Sequence, residues 1–331
     1  GIKVVTLAGN LTVNEGDADD TGVSSGASGD ILLEARGAVS DVILNADLRG
    51  GSGHITVSAD DDVDGNADVT TTNGTIFIWG RNGTVDGTPA DGVNLDPGTL
   101  INSGSGNVRF LAGNESDVWL NQVTAGSGSV SIVAERDILD NNGPTNNVTA
   151  AVLRLLADSN GNQAGRIGAG DPANGDPNAN VNAIDTAVDT LAAVSADGIY
   201  ILEANAVTID LTGDVSIQQV NFNSTIMTRT DANLSDLETT DAGSIKLVAL
   251  AGSITINEGD ADDTGVSAAT GGNVLIEAHG VAGDVIFNAD IRSVSGHITV
   301  SVDDDIDGNA DIATADGSVF LWAGNGTADG A

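Results

Sequence analysis

One acidic stretch of the sequence has the residue types and spacing of a calcium loop, and it occurs twice. Its oxygen-bearing residues are Asp60, Asp62, Asp64, Asn66 and Asp68 in the first copy, and Asp303, Asp305, Asp307, Asn309 and Asp311 in the second. Ca²⁺ takes about six to eight hard oxygen ligands, and alternate residues of a turn can point several of them at one ion. Asn66 and Asn309 would each offer a backbone carbonyl. The sequence therefore predicts Ca²⁺ as a cofactor at both stretches.

The match ends before the calcium-loop pattern is complete. Thr71 and Thr314 stand at the twelfth position, where such loops carry a bidentate Glu. A neighbouring part of the fold would have to complete the ligand shell, or the affinity would be low. The alternative is a solvated acidic turn that discourages pairing at a sheet edge. Both interpretations stay open at this point.

A second acidic turn also occurs twice, at residues 14–20 and 257–263. It reads Asn-Glu-Gly-Asp-Ala-Asp-Asp in both copies, without the full calcium-loop spacing. The pattern is a weaker metal candidate than the first stretch.

The remaining chemical candidates are His54, Phe77 and Trp79, with their counterparts His297, Phe320 and Trp322. Each histidine lies on the outward phase of an alternating stretch with no second histidine nearby, which favours a surface strand residue over a metal ligand or a catalytic base. The Phe-x-Trp pairs could dock a sugar or a neighbouring filament. Burial under a covering loop is the interpretation that we favour.

The overall charge excludes several function classes. The chain has 48 Asp and Glu against 11 Lys and Arg, a formal net charge of −37. Such a field repels nucleic acid and anionic lipid, so we expect no nucleic-acid partner and no membrane insertion. The chain has no cysteine, which removes disulfides and thiolate chemistry. Most of the acid is Asp, which favours turns over helices.

Short stretches with the pattern apolar-x-apolar-x-Ala recur along the chain and predict the elements that position these residues. They are Ile31–Ala35, Ile55–Ala59, Val108–Ala112, Val130–Ala134, Leu153–Ala157, Tyr200–Ala204 and Ile245–Ala249. Alternation places one face of each stretch inward, which is the periodicity of a β-strand. We expect Ile55, Val57, Val108, Phe110, Val130 and Ile132 to be buried in line.

A long repeat organises the sequence. Residues 1–88 recur as residues 244–331, so that Asn14 returns as Asn257, 243 residues later, and 54 of the 88 aligned positions are identical. This identity indicates duplication of a whole unit. We therefore expect one continuous domain over residues 1–331, in which residues 1–243 form one repeat and 244–331 part of the next, cut from a longer tandem array.

The spacing of the strand patterns predicts the fold. Their first residues, beginning at Ile2, lie 29, 24, 21, 32, 22, 23, 47 and 45 residues apart. If each of the last two gaps hides a degenerate turn, one repeat has about ten coils of about 24 residues. The prediction is an all-β, right-handed parallel β-helix (β-solenoid), with stacked β-sandwiches as the alternative. The Gly/Asn/Asp/Pro-rich stretches 81–107 and 158–190 are expected to be long loops.

Residues 184–193 and 198–209, with the preceding Ile167–Gly170, resemble repeats of filamentous-haemagglutinin-like adhesins and related giant bacterial exoproteins. The resemblance is strong over residues 151–209, and elsewhere only the order of strands and turns is shared. It implies a right-handed β-helix, secretion to the bacterial cell surface, and a role in adhesion, biofilm or filament formation.

These observations favour a structural or adhesive segment of an extracellular filament, which is not an enzyme and associates with further repeats or filament subunits. A glycan or another cell-surface molecule is the expected external target. A calcium-dependent glycan-binding module is the first alternative, and a β-helix polysaccharide lyase is the second. A lyase needs a cleft with a base and clustered basic residues, whereas the Lys and Arg residues here are scattered.

Overall fold

The computed structural model describes residues 1–82, 91–170 and 182–324, which form strands and turns without a helix. In this part of the chain no helix is long and apolar enough to cross a membrane. The strands pair in parallel with their neighbours in successive coils, apart from one hairpin. The prediction of an all-β parallel β-solenoid is confirmed.

The chain divides into two compact units. The first contains Gly1–Ala151 and Asp214–Ala232, and the second contains Val152–Gly213 and Asn233–Ala331. The continuity of one solenoid through residues 1–331 stays a prediction.

The coils of the first unit each contribute strands to three parallel faces, A, B and C. Face A contains β1 (Ile2–Thr6), β4 (Ile31–Ala35), β7 (Ile55–Ala59), β10 (Ile76–Gly80), β13 (Val108–Ala112) and β16 (Ser129–Ala134). Face B contains β2 (Leu11–Val13), β5 (Val42–Leu44), β8 (Val63–Gly65), β11 (Asp91–Leu95), β14 (Asp117–Leu120) and β17 (Ile138–Asp140). Face C contains β3 (Thr21–Ser24), β6 (Asp47–Arg49), β9 (Val69–Thr70), β12 (Leu100–Asn102), β15 (Gln122–Thr124) and the first residues of β18 (Val148–Leu156).

The second unit repeats this three-faced arrangement. It begins with the remainder of β18 and with β19 (Ile184–Ser195), a 12-residue strand that pairs successively with all three faces. Face A contains β20 (Gly198–Glu203), β25 (Ser244–Ala249), β28 (Val274–Ala278), β31 (Ile298–Val302) and β34 (Val319–Ala323). Face B contains β21 (Val207–Ile209), β26 (Ile254–Ile256), β29 (Val285–Phe287) and β32 (Ile306–Gly308). Face C contains β24 (Leu237–Thr239), β27 (Thr264–Ala268), β30 (Asp290–Ser293) and β33 (Ile312–Thr314).

The core of each unit consists of aliphatic side chains stacked in register from coil to coil. In the first unit Val108 lies between Ile76 and Val130, and Phe110 lies between Ile78 and Ile132. All six residues that were expected to be buried in line have a relative exposure of 0%. For these six residues the alternation predicted the inward phase correctly, because each strand has a period of two and one buried face. In the predicted strand Tyr200–Ala204 the phase was wrong by one residue, because Ile199 and Ile201 stack with Ile245 and Leu247.

The two copies of the long repeat have the same coil lengths. Ile2 pairs with Ile31, Ile31 with Ile55, and Ile55 with Ile76, which gives spacings of 29, 24 and 21 residues. In the second copy Ile245 pairs with Val274, Val274 with Ile298, and Ile298 with Val319, with the same three spacings. Conserved register is what a duplicated structural unit requires.

Of the two long gaps between strand patterns, only the first contains the hidden coil that we predicted. Ile167 forms a parallel bridge to Ile199, and Ile184 of β19 pairs with Ile201. In the second gap Ile199 pairs directly with Ile245, so the prediction of a hidden coil there was wrong. The extra residues form an antiparallel hairpin of β22 (Val215–Val220) and β23 (Ile226–Asp231), which lengthens the coil without adding a layer.

The two stretches predicted to be long loops are partly strands. Residues 81–107 include β11 and β12, and residues 158–190 include the start of β19. Turn-forming residues flank these strands and obscured short apolar segments such as that at Val93 and Leu95, which are both buried. Residues 83–90 and 171–181 lie outside the described part of the chain.

Candidate cation sites at the acidic corners

The structure divides the predicted calcium ligands of the first copy between two corners of one coil. Asp60 and Asp62 lie at the corner between β7 and β8, Asp64 lies within β8, and Asn66 and Asp68 lie at the corner before β9. A strand of three residues separates the corners, so any ion at either corner needs ligands from adjacent coils.

The first corner brings Asp62 together with Asp41 and Asp61. One carboxylate oxygen from each of these residues lies within 4.8 Å of the others. Asp60 points elsewhere, because it accepts a hydrogen bond of 2.8 Å from the backbone N–H of Gly37 and forms an ion pair with Arg81. Of the predicted ligands at this corner, only Asp62 belongs to a cluster.

The second corner uses its polar side chains to connect coils. The Asn66 amide donates to the Oδ1 atom of Asn45 at 2.8 Å, and the Asn45 amide donates to Asn14 at 3.0 Å. The backbone N–H of Asp68 donates to Asp47 at 3.0 Å, and Asp68 accepts from the next coil. These ladders satisfy backbone and amide groups at the turns.

The second copy uses its predicted ligands in the same way. Asn309 donates to Asn288 at 2.8 Å, and the backbone N–H of Asp311 donates to Asp290 at 2.8 Å and lowers the pKa of that carboxyl. At the other corner Asp303 accepts from the backbone N–H of Gly280 at 3.0 Å. Asp305 donates its backbone N–H to Asp284, and Asp307 lies within β32. Calcium at the ten predicted residues stays a prediction.

The second acidic turn has a closed local geometry in both copies. Glu15 accepts hydrogen bonds from the backbone N–H groups of Asp17 at 2.6 Å and Ala18 at 2.7 Å. The negative charge of Asp19 raises the pKa of Asp17. One oxygen from each of Glu15, Asp17 and Asp19 lies within 4.8 Å of the others. The turn therefore concentrates negative charge at a fixed point.

In the second copy this turn meets a carboxylate from an adjacent coil. Asp260 and Asp262 correspond to Asp17 and Asp19, and they form a cluster with Asp236 in which one oxygen from each residue lies within 4.8 Å of the others. Burial raises the pKa of Asp236 to about 7, and the charges of Asp260, Asp262 and Glu258 contribute to the rise. Of the clusters found in the described residues, this one combines exposed turn carboxylates with a buried carboxylate from another coil.

Sequence reasoning missed Asp236 because its cluster depends on which coils are adjacent. Asp236 belongs to neither repeated acidic stretch, and it lies 24 residues before Asp260, which is about the length of one predicted coil. A signal was nevertheless present. Asp236 directly precedes the apolar start of a face C strand, as do Asp68 and Asp311.

Both histidines at the repeated position have structural contacts. The Nδ1 atom of His54 accepts a hydrogen bond of 3.0 Å from the backbone N–H of Thr75 in the next coil. His297 accepts a bond of the same length from Ser318. These contacts agree with the expectation that the histidines lie on the strand surface.

The aromatic pairs have different surroundings in the two copies. Phe77 is 1% exposed and stacks with Trp79 at 5.9 Å between ring centroids. The hairpin crosses this face of the first unit, where Gln218 receives a hydrogen bond from Thr75 and donates one to it. In the second copy Phe320 and Trp322 are 57% and 47% exposed, but β34 is the last described strand, and its inward-phase residues Val319 and Leu321 are exposed as well.

Comparison of the chain with models of known protein families, with curated proteins and with solved structures gave no match.

Proposed function

We propose that this chain is a structural and adhesive segment of an extracellular surface filament or giant surface adhesin, built from tandem β-solenoid repeats. The observation that carries the proposal is the repetition of coil lengths, strand pairing and corner ladders between the two copies. Repetition of this kind maintains a scaffold, because each coil needs only its neighbours for stability.

The distribution of side-chain functions supports a role without catalysis. The repeated polar residues, such as Asn66 and Asn309, hold adjacent coils together. The repeated histidines accept backbone hydrogen bonds. These residues have the same neighbours in each copy, whereas an enzyme of this size concentrates its reactive groups in one cleft. The resemblance to filamentous-haemagglutinin-like exoproteins supplies the adhesive and cell-surface parts of the proposal.

In this proposal calcium stabilises the stacking of adjacent coils. The acidic corners recur with the long repeat, and Ca²⁺ bound between coils would offset their mutual repulsion. Self-association with further repeats, and contact with a glycan or another cell-surface molecule, are the interactions that such a segment would use.

The proposal is tested with beads that carry the purified chain. We expect them to cluster and to attach to bacterial or host-cell surfaces more than beads carrying the same chain after thermal unfolding. Beads that stay dispersed and attach no better than the unfolded control would contradict the adhesive role.

One observation favours a second candidate, a calcium-dependent glycan-binding module. The Phe-x-Trp pair recurs on face A in both copies, as Phe77 with Trp79 and as Phe320 with Trp322, and aromatic faces are common platforms for sugars. A glycan array probed with and without a chelator separates the two proposals. Glycan binding that disappears on chelation and in Trp322→Ala would favour the binding module over the scaffold.

A further inference from the structure

The acidic turn of the second copy is docked onto a neighbouring coil. Its Gly259 lies so close to the preceding coil that an added Cβ would be 2.5 Å from the Cβ of Ser235. In the first copy the turn belongs to the first described coil, and the equivalent Gly16 has no atom within 4 Å of the same position. Glycine at residue 259 therefore permits a close approach that places the turn directly beside Asp236.

The turn is held in a fixed conformation before any ligand binds. Glu258 accepts hydrogen bonds from the backbone N–H groups of Asp260 at 2.8 Å and Asp262 at 3.3 Å. Ala261 and Asp263 have positive φ values of 73° and 67°, and Asp262 accepts a 2.7 Å bond from the backbone N–H of Thr264. These contacts orient the turn without using every carboxylate oxygen.

Asp236 is the group that this arrangement leaves unexplained. It is 7% exposed, and its Oδ2 atom accepts a hydrogen bond of 3.0 Å from the Ser235 hydroxyl. Its Oδ1 atom is buried and has no hydrogen-bond partner among the residues that the structure describes. A buried carboxylate oxygen without a donor is costly, and here two further carboxylates lie against it.

We propose that Asp236, Asp260 and Asp262 bind one Ca²⁺ ion between adjacent coils of the second unit. Oxygen atoms that lie within 4.8 Å of one another can all reach a single ion, because Ca–O distances are about 2.3–2.6 Å. Calcium tolerates irregular geometry and takes part of its shell from water, whereas Mg²⁺ demands a near-ideal octahedron. Exposed carboxylates of the turn would admit the ion, and the buried one would fix it to the coil.

The site lies outside the ten residues of the repeated calcium-loop pattern. It rests on the solenoid fold and on these three side chains, and not on the adhesive role. If no Ca²⁺ binds at these residues, the result of the bead experiment is unaffected. If the chain does not mediate adhesion, the proposed calcium site is unaffected.

Hydrogen exchange of the intact chain tests the site with an internal control. We expect millimolar CaCl₂ to slow exchange in the segments that contain residues 233–240 and 257–264, relative to the same chain in MgCl₂. Residues 13–21 contain the same turn in the first described coil, where no described residue takes the place of Asp236. We therefore expect much less protection from exchange there. Unchanged exchange at residues 233–240, or equal protection at residues 13–21, would overturn the proposal.

The variant Asp236→Asn distinguishes an ion ligand from a residue needed only for folding. It keeps the size of the side chain and removes its charge. We expect Ca²⁺ affinity at this site to fall by at least about tenfold, since affinity depends on the number of charged ligands. Without calcium, the thermal midpoint of the variant should equal or exceed that of the native chain, because carboxylate repulsion is relieved.

The double variant Asp17→Asn with Asp19→Asn is the matched control. It removes the two carboxylates of the first copy that correspond to Asp260 and Asp262, and it should leave calcium protection at residues 233–240 intact. If Asp236→Asn lowers the midpoint equally with and without calcium, Asp236 is structural and the site is rejected.

Discussion

At the residue scale, glycines at one corner set how closely the coils stack. Gly53, Gly74, Gly106 and Gly128 each precede a face A strand, and an added Cβ at each would overlap the carbonyl group of the glycine in the coil before it. The corner therefore forms a glycine ladder. A side chain at any of these four positions would force the coils apart.

Gly74→Ala should destabilise the first unit by about 1–3 kcal/mol, the usual cost of inserting a methyl group where none fits. Chemical denaturation measures the change in the free energy of unfolding. Gly26→Ala is the matched control, because an added Cβ there meets no atom within 4 Å. Equal effects of the two substitutions would show that close approach at the corner is not what the glycine provides.

A second residue-scale contrast comes from one glutamate whose partners differ between the copies. Glu34 forms ion pairs with Arg36 at 3.0 Å and with Arg81 at 4.0 Å. Its counterpart Glu277 has a buried Oε2 atom with no hydrogen-bond partner in the described residues. His279 stands where the first copy has Arg36, and burial raises the pKa of Glu277 above its ordinary value of 4.5.

Glu277→Gln should therefore stabilise the chain at neutral pH, because it removes a carboxylate that burial penalises. Because the folded chain holds this proton more tightly than the unfolded chain, native stability falls as pH rises from 4.5 through the raised pKa. The gain from the substitution should be absent near pH 4 and present near pH 8. Denaturant midpoints at the two pH values measure it.

Glu34→Gln is the control for this pair of copies, and it should lower the midpoint because it removes a paired charge. If both substitutions destabilise the chain, the inference that Glu34 stabilises the fold and Glu277 weakens it is wrong.

At the element scale, the hairpin of β22 and β23 is fastened to face A of the first unit by charge. The guanidinium of Arg109 donates two hydrogen bonds of 2.7 Å to Asp231, and the Ser131 hydroxyl donates a third of 2.7 Å. The backbone N–H of Val220 donates to the Thr56 hydroxyl at 2.9 Å. The hairpin thus covers several coils of the face at once.

Asp231→Asn should loosen the hairpin and leave the stacked coils intact. Bonds to a charged group contribute about 1.5–3 kcal/mol each, so we expect amide exchange in residues 215–231 to accelerate at least tenfold. Arg229→Ala removes an exposed guanidinium from the same hairpin, and exchange there should change little. Acceleration that spreads equally through β7, β10 and β13 would mean that the hairpin is part of the core.

The elements also show how far the sequence determined the fold. The inward phase of Ile55 or Phe110 was predictable, since alternation in a strand allows only two phases and one of them is apolar. The hairpin was not predictable from periodicity, because Val215 and Ile217 alternate in the same way as a solenoid strand. The position of Asp236 beside Asp260 depends on how successive coils stack, because Leu237 pairs with Val266 in the next coil, and no pattern within the acidic turn records that pairing.

At the scale of the whole molecule, the net charge of −37 must weaken the folded state through self-repulsion. Much of this charge lies at corners that recur with the long repeat, including Asp60, Asp68, Asp303 and Asp311. Two physical effects can relieve the repulsion. Salt screens charges at distances beyond about 8–10 Å, and bound calcium neutralises them locally.

Thermal unfolding in matched ionic strength separates these effects. NaCl should raise the midpoint gradually through screening, and CaCl₂ at the same ionic strength should raise it further because ligand binding stabilises only the folded chain. The additional rise should saturate with calcium concentration and should shrink in the chain that carries Asp236→Asn. Coincident midpoints in NaCl and CaCl₂ would mean that the acidic corners act only through their charge, and calcium stiffening would then be rejected for this chain.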